Sequence, residues 1–198
     1  IQFNVKSLMF MAVQPQIGDA WMFGLHQCTN DRIWNDYEKQ LFKIIGHRIN
    51  HCIGNMLYLT QLKESEEKHR SLFDNMAEGV FYQGYDGKIT DFNQNALKMF
   101  GLTKDQFLGR TSLDPAWKVI HEVGSHYPGV KHPSMMALKT AKPQLDKVAG
   151  VFRPAHNDYV WLNINAIPQF YDGETKPYQI FVTMRDITEQ KRTEEALR

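Results

Sequence analysis

Leu41, Ile45, Ile49, Cys52, Met56, Leu59 and Leu62 recur at intervals of three and four, the spacing of one helical face. Asn35 stands three residues before Glu38, where an N-cap amide and a returning carboxylate satisfy each other's exposed backbone donors, so the helix is expected to start there. Nothing stops it at the far end. Residues 63–70, Lys-Glu-Ser-Glu-Glu-Lys-His-Arg, hold neither glycine nor proline, so the helix passes through them as a solvated connector before Leu72, Phe73 and Met76 restore an apolar stripe. The chain is therefore read as units on either side of a long helix, 35–64 being the connector. Ile45, Ile49, Cys52, Met56 and Leu59 also fit alternating d and a positions of a heptad, which leaves two readings open: an amphipathic helix lying on its own domain, or a two-chain coiled coil.

Ahead of the helix, 7–14 and 21–28 read as strands separated by the turn-rich Pro15-Gln16-Ile17-Gly18-Asp19, a hairpin-like pair with too little sheet to stand alone. Ile1 opens inside a strand-like stretch and the last residues are in helical pattern, so the chain reads as an excerpt with any output enzyme outside it. Composition then removes whole classes. With 42% hydrophobic and 23% charged residues the chain can bury a core, which excludes a disordered or collagen-like protein. A net charge of +1 argues against a dedicated nucleic-acid binder, and the longest apolar run, Leu8 to Val13, is far short of the ~20 residues that span a bilayer. Two cysteines, Cys28 and Cys52, make no disulfide scaffold, and a reducing, cytoplasmic setting is expected.

After the connector, 79–83 reads as a strand, Tyr85-Asp86-Gly87-Lys88 as a tight turn and 89–92 as its partner. Asn93 caps a short helix ending at Gly101, and Thr103 with Gln106 forms a capping box. Residues 109–131 hold five Gly or Pro and are expected to be irregular, a setting in which function collects. His132-Pro133 opens a helix that lasts until Pro143, and 147–153, 159–170 and 178–186 read as strands. Two strands, short helices and three strands make an α+β plan with a five-stranded antiparallel sheet carrying short helices on one face.

That order resembles the PAS domain, a sensory module of bacterial and archaeal signalling proteins, over 65–198. Its marks are Ser65-Glu66-Glu67-Lys68-His69-Arg70-Ser71-Leu72-Phe73 at the start, Asp86-Gly87-Lys88-Ile89 in the first hairpin, and Arg185-Asp186-Ile187-Thr188-Glu189-Gln190-Lys191-Arg192 at the exit. The resemblance implies a PAS domain over 65–187 and the start of an output helix over 188–198. Residues 1–34 with the connector resemble the end of a GAF domain, a related sensory fold, whose pocket part is absent. Cys28 is accordingly expected to be a core strand residue.

No chemistry of bond making stands out: there is no Gly-x-Ser-x-Gly elbow, no phosphate loop and no Walker lysine. His121, Glu122, His126 and His132 raise a metal-dependent enzyme as an alternative, but His121 and His126 are five apart with Gly124 between them, not at the i, i+4 spacing of a zinc helix. No cofactor is assigned. Light sensors of the PAS class carry a flavin-adduct cysteine, and 65–198 contains no cysteine; the haem-binding members' histidine finds its nearest match in His132, whose place beside Pro133 suits a loop–helix hinge better.

Strand alternation puts Leu162, Ile164 and Ala166 on one face and Trp161, Asn163 and Asn165 on the other. With Phe92, Met99, Phe107, Trp117, Met136, Val151, Val182 and Met184, the first set either lines a small apolar ligand cavity or fills a core. Signal relay is expected at Asp186, capping the outgoing helix, with Thr188 and with Glu189 returning to the cap. The resemblance implies a segment of a multidomain sensor in a two-component phosphorelay, its parent a histidine kinase or, as runner-up, a diguanylate cyclase. The expected partners are a second copy through the connector helices, other domains of the same chain and a small molecule. A ligand-free dimerisation scaffold is the remaining alternative.

Overall fold

The computed structural model describes residues 4–197; the ends of the 1–34 and 188–198 segments, residues 1–3 and 198, lie outside the described residues. Contacts divide the chain into two compact units, Ile1–His69 and Arg70–Arg198.

In the first unit β1 (Ser7–Val13) and β2 (Trp21–Gln27) pair antiparallel from Ser7 with Gln27 to Val13 with Trp21. Cys28 lies one residue past the end of this ladder and is exposed, which corrects its placement in a strand core: Gln27 already pairs with the first residue of β1, so nothing remains to cover it. Helix α1 (Asp36–Asn75) follows, started by the expected exchange, in which Glu38 N–H donates to Asn35 Oδ1 and Asn35 N–H to Glu38 Oε2, each at 2.9 Å. Its buried residues are Phe42, whose ring stacks on Phe23 at 4.8 Å, and Gly46. The sequence stripe is a different face: Leu41, Ile45, Met56, Leu59 and Leu62 are exposed, as is Cys52.

The second unit is an antiparallel sheet in the order β4-β3-β8-β7-β6-β5, from β3 (Gly79–Gly84), β4 (Ile89–Phe92), β5 (Val119–Ile120), β6 (Gln144–Arg153), β7 (Asp158–Gln169) and β8 (Gln179–Asp186). The five expected strands are joined at one edge by the two-residue β5, which is too short to show a period in sequence. Strand β6 starts three residues earlier than its apolar pattern, through an irregularity between Gln144 and Lys147 where Asp146 adopts φ 51° and its N–H donates to Asn165 Oδ1 at 2.8 Å. Helices α2 (Gln94–Phe100), α3 (Lys104–Phe107) and α4 (Pro133–Thr140) supply Ala96, Phe100, Phe107 and Ala137 to one continuous core with the sheet, and α5 (Thr188–Ala196) leaves after β8.

Asn93 holds the start of this unit together. Its side chain is fully buried; Oδ1 accepts from Val80 N–H and Ala96 N–H, both at 2.9 Å, and Nδ2 donates to Phe73 O at 3.0 Å and Glu78 O at 2.9 Å. One carboxamide thus caps α2 and ties the end of α1 to the first strand. Asn93→Ala strands several of these groups, each costing about 1–3 kcal/mol when buried without a partner. A loss of at least about 3 kcal/mol in urea unfolding is expected; a loss below 1 kcal/mol contradicts the role.

Candidate functional site

A cavity of about 60 Å³ lies between the sheet and the helices. Its walls come from every part of the unit: Phe81 and Ile89 from the first hairpin, Phe100 and Phe107 from α2 and α3, Ser112, Trp117, Val119 and Tyr127 from the 109–131 stretch, His132, Pro133 and Ser134 at the start of α4, and Ala149, Val151, Ile164, Val182 and Met184 from β6, β7 and β8. Phe107, fully buried, organises the aromatic side: its ring lies edge-on to Phe81 at 5.7 Å, to Phe92 at 5.2 Å and to Trp117 at 6.2 Å. Gly129 lets the loop close over this floor, because a Cβ there would sit 2.1 Å from Ser112 O.

Of the residues expected to line a pocket, Phe107, Trp117, Val151, Ile164, Val182 and Met184 do so. Leu162 and Ala166 share the inward face of β7 and are fully buried, but lie in the core away from the cavity, while Phe92 and Met99 pack half-buried against that core. Met136 is redirected: α4 turns Pro133, Ser134 and Ala137 inward, and Met136 lines a surface groove with Met135, Lys139 and His121. The lining residues that sequence reasoning missed divide into two kinds. Ala149 is two residues from Val151 on one strand, and Phe81 alternates with Tyr82, so alternation applied to β6 and β3 finds them. Ser112, Tyr127 and Ser134 come from irregular backbone or a helix start, where no period exists.

Polar groups are few. Ser112 Oγ and Ser134 Oγ are 3.3 Å apart, and His132 Nε2 donates to Tyr127 O at 3.1 Å, which assigns the ring proton to that nitrogen. Burial, partly countered by this bond, holds the His132 imidazole below its ordinary value, and burial also raises the Tyr127 phenol. Among the described residues no Asp, Glu, Lys or Arg lines the cavity. The site offers an apolar floor, a hydroxyl pair and a neutral imidazole, which suits a small uncharged molecule.

The histidine loop is occupied with other contacts. His121 stacks on Tyr127 at 3.8 Å, Glu122 pairs with Lys191, and His126 bridges to Ile120; among the described residues no group of three or more His, Cys, Asp or Glu could hold a metal ion. At the exit, Asp186 acts from one position further back than an N-cap, its Oδ1 accepting Thr188 N–H at 2.8 Å, because Ile187 occupies the cap position. Thr188 Oγ1 accepts Trp161 N–H at 2.9 Å. Glu189 takes part through its backbone carbonyl, which accepts from Thr193 Oγ1 at 2.9 Å, rather than by a return of its carboxylate to the cap.

A single antiparallel sheet with short helices closing a cavity on one face defines an α+β module. Residues 67–124 of the chain match the family model of the PAS domain. Solved structures similar to it include a PAS domain of an HTR-like protein from Haloarcula marismortui, 15% identical with TM-score 0.49 over 67% of this chain and 99% of that one. The PAS domain of Bordetella pertussis BvgS is 23% identical with TM-score 0.45 over 70% and 96%. The Escherichia coli DhaR(N)–DhaL complex is 13% identical with TM-score 0.51, over 89% of this chain but 54% of that one. A comparison with curated protein sequences finds no match. Among the described residues no helix is long and apolar enough to cross a membrane.

The His132 environment has a sign. A base whose folded value is depressed binds its proton more readily unfolded, so stability falls as pH drops through the unfolded value near 6.5. His132→Gln is expected to flatten the decline of Tm between neutral and mildly acidic pH relative to the wild type; parallel curves contradict it.

Proposed function

We propose that this chain is a sensory relay: the PAS cavity takes up a small uncharged ligand, and β8 carries the resulting shift into α5. The observation behind the reading is continuity. Val182 and Met184 of β8 line the cavity, and the strand runs without glycine or proline to Asp186, where Asp186, Thr188 and Trp161 lock strand to helix. Ile187 N–H adds a bond to Trp161 O at 2.8 Å. The ligand is small, because about 60 Å³ is well under the ~300–1,000 Å³ of sites for drug-sized molecules. Native mass spectrometry of the gently purified protein tests it: a neutral co-purifying molecule is expected from the wild type and absent from Ala149→Leu, whose fold is checked by thermal melt. No bound molecule in the wild type, or equal recovery from both, overturns the reading.

The first unit supports the other half of the proposal, in which residues 1–34 end a GAF-like domain and α1 pairs two copies of the chain. Leu41, Ile45, Met56, Leu59 and Leu62 stand exposed along α1 at heptad-like spacing, apolar surface that a second helix covers by knobs-into-holes packing. For the output we propose a histidine kinase in the parent, with a diguanylate cyclase second, on resemblance alone. Sedimentation equilibrium is expected to give a dimer that Ile45→Lys with Met56→Lys converts to a folded monomer. A wild type that stays monomeric contradicts the pairing.

A further inference from the structure

Beyond its first turn, helix α5 has one side chain that is not exposed. Thr188 is held by Trp161, but of residues 189–197 only Lys191 is half-buried, and its Nζ lies 2.5 Å from Glu122 Oε1 and 3.9 Å from Glu194 Oε2. Glu122 belongs to none of the elements next to α5 in sequence. It sits at the tip of a small hairpin in which β5 returns through a tight turn: Gly124 N–H donates to His121 O, His121 N–H to Ser125 O and Tyr127 N–H to Val119 O, each at 2.8 Å, with Gly124 at φ 80°. The base of this hairpin is Tyr127, a wall of the cavity, and the His121 ring stacked on it at 3.8 Å stiffens the link to the tip. Beneath the same hairpin Ile120 and Trp161 meet across Gly150, where a Cβ would lie 2.8 Å from Ile120 and 3.1 Å from Trp161. The hairpin and the helix origin at Trp161 are therefore one packed assembly.

We infer that the Glu122–Lys191 pair is a releasable latch by which the 119–127 hairpin, whose base walls the cavity, sets the position of the outgoing helix independently of strand β8. Two observations favour release over clamping. The Glu122 side chain is 52% exposed, and ion pairs of that exposure shift an equilibrium only a few-fold. None of the residues of α5 is buried, so no apolar packing of its own holds it against the sheet. A weak bond on a helix with no buried side chain is a device that a small displacement of Tyr127 can open.

The test needs no knowledge of a ligand, so its failure is separate from failure of the sensory reading. Backbone Cα shifts of residues 189–196 report the helical population of α5 in the whole chain, and the amides of β7 and β8 report that the fold is kept. Glu122→Gln and Lys191→Met are each expected to lower the docked-to-released ratio about two- to five-fold. The charge-swapped pair, Glu122→Lys with Lys191→Glu, is expected to recover most of it. Tyr127→Leu, which removes the stack without touching either charge, is expected to release α5 as well, and Lys191→Met to move the His121 ring-proton shifts in return. Unchanged α5 shifts in the two single variants overturn the latch. Release in those two but not in Tyr127→Leu, or an unmoved His121 ring, overturns its link to the cavity.

Discussion

A buried carboxamide is satisfied only when its two donors and its oxygen all find partners, and Asn93 meets that condition with groups from four places in the chain. Its bonds reach the end of α1, the turn after it, the first strand and the first turn of α2. Each partner is itself a backbone group that would lose water on burial, so the arrangement is held from both sides. By contrast, the ion pair across this junction, Arg70 with Asp91 at 3.4 Å, is exposed and contributes about 0–1 kcal/mol. The position of β3, and hence of Phe81 on the cavity floor, follows from the amide rather than from the ion pair.

Once β3 is fixed, the aromatic cluster follows. Phe81 meets Phe107 edge-on, Phe107 is enclosed by Phe92, Phe100 and Trp117, and these rings are too large and too rigid to fill all the space beneath the sheet. A cavity bounded by ring edges and small strand residues, Ala149 and Val182, is the consequence. Of the few polar groups that reach it, Ser112 and Tyr127 come from the 109–131 stretch, and His132 and Ser134 arrive with α4, whose Pro133 opening leaves no side-chain cap.

Much of this plan was legible because it rests on local chemistry. Asn35 with Glu38, Asn93 before α2, Gln106 accepting from Thr103 N–H at 3.0 Å, and the Asp86-Gly87 turn each combine residue type with spacing, and each forms. The alternation of β7 separates buried Leu162, Ile164 and Ala166 from half-buried Asn163 and Asn165. What was not legible depends on distant partners. The two residues of β5 are a strand only because Val151 and Gly150 lie beside them. Nor does the spacing of α1 say which of its two apolar faces meets β1 and β2; Phe42 and Gly46 do, because a large ring and an absent side chain fit that surface, and the heptad-like stripe is left outside. The cavity was half found for the same reason: alternation identifies which face of a strand is inward, not which inward residues border empty space.

The two joints of the second unit differ in kind. The incoming joint is a buried amide whose loss leaves several unpartnered groups, so its alternatives are several kcal/mol away, on the order of the whole stability of a small domain. The outgoing joint is a hydroxyl, an exposed carboxylate, the Ile187–Trp161 backbone bond and an ion pair at the surface, separate contacts each contributing on the order of 1 kcal/mol. A perturbation in the cavity between them meets a stiff support on one side and a compliant one on the other. Displacement follows the smaller restoring force. In the proposed relay, motion generated beneath the sheet would therefore leave through α5, with the junction at the end of α1 as the fixed point against which that motion is made.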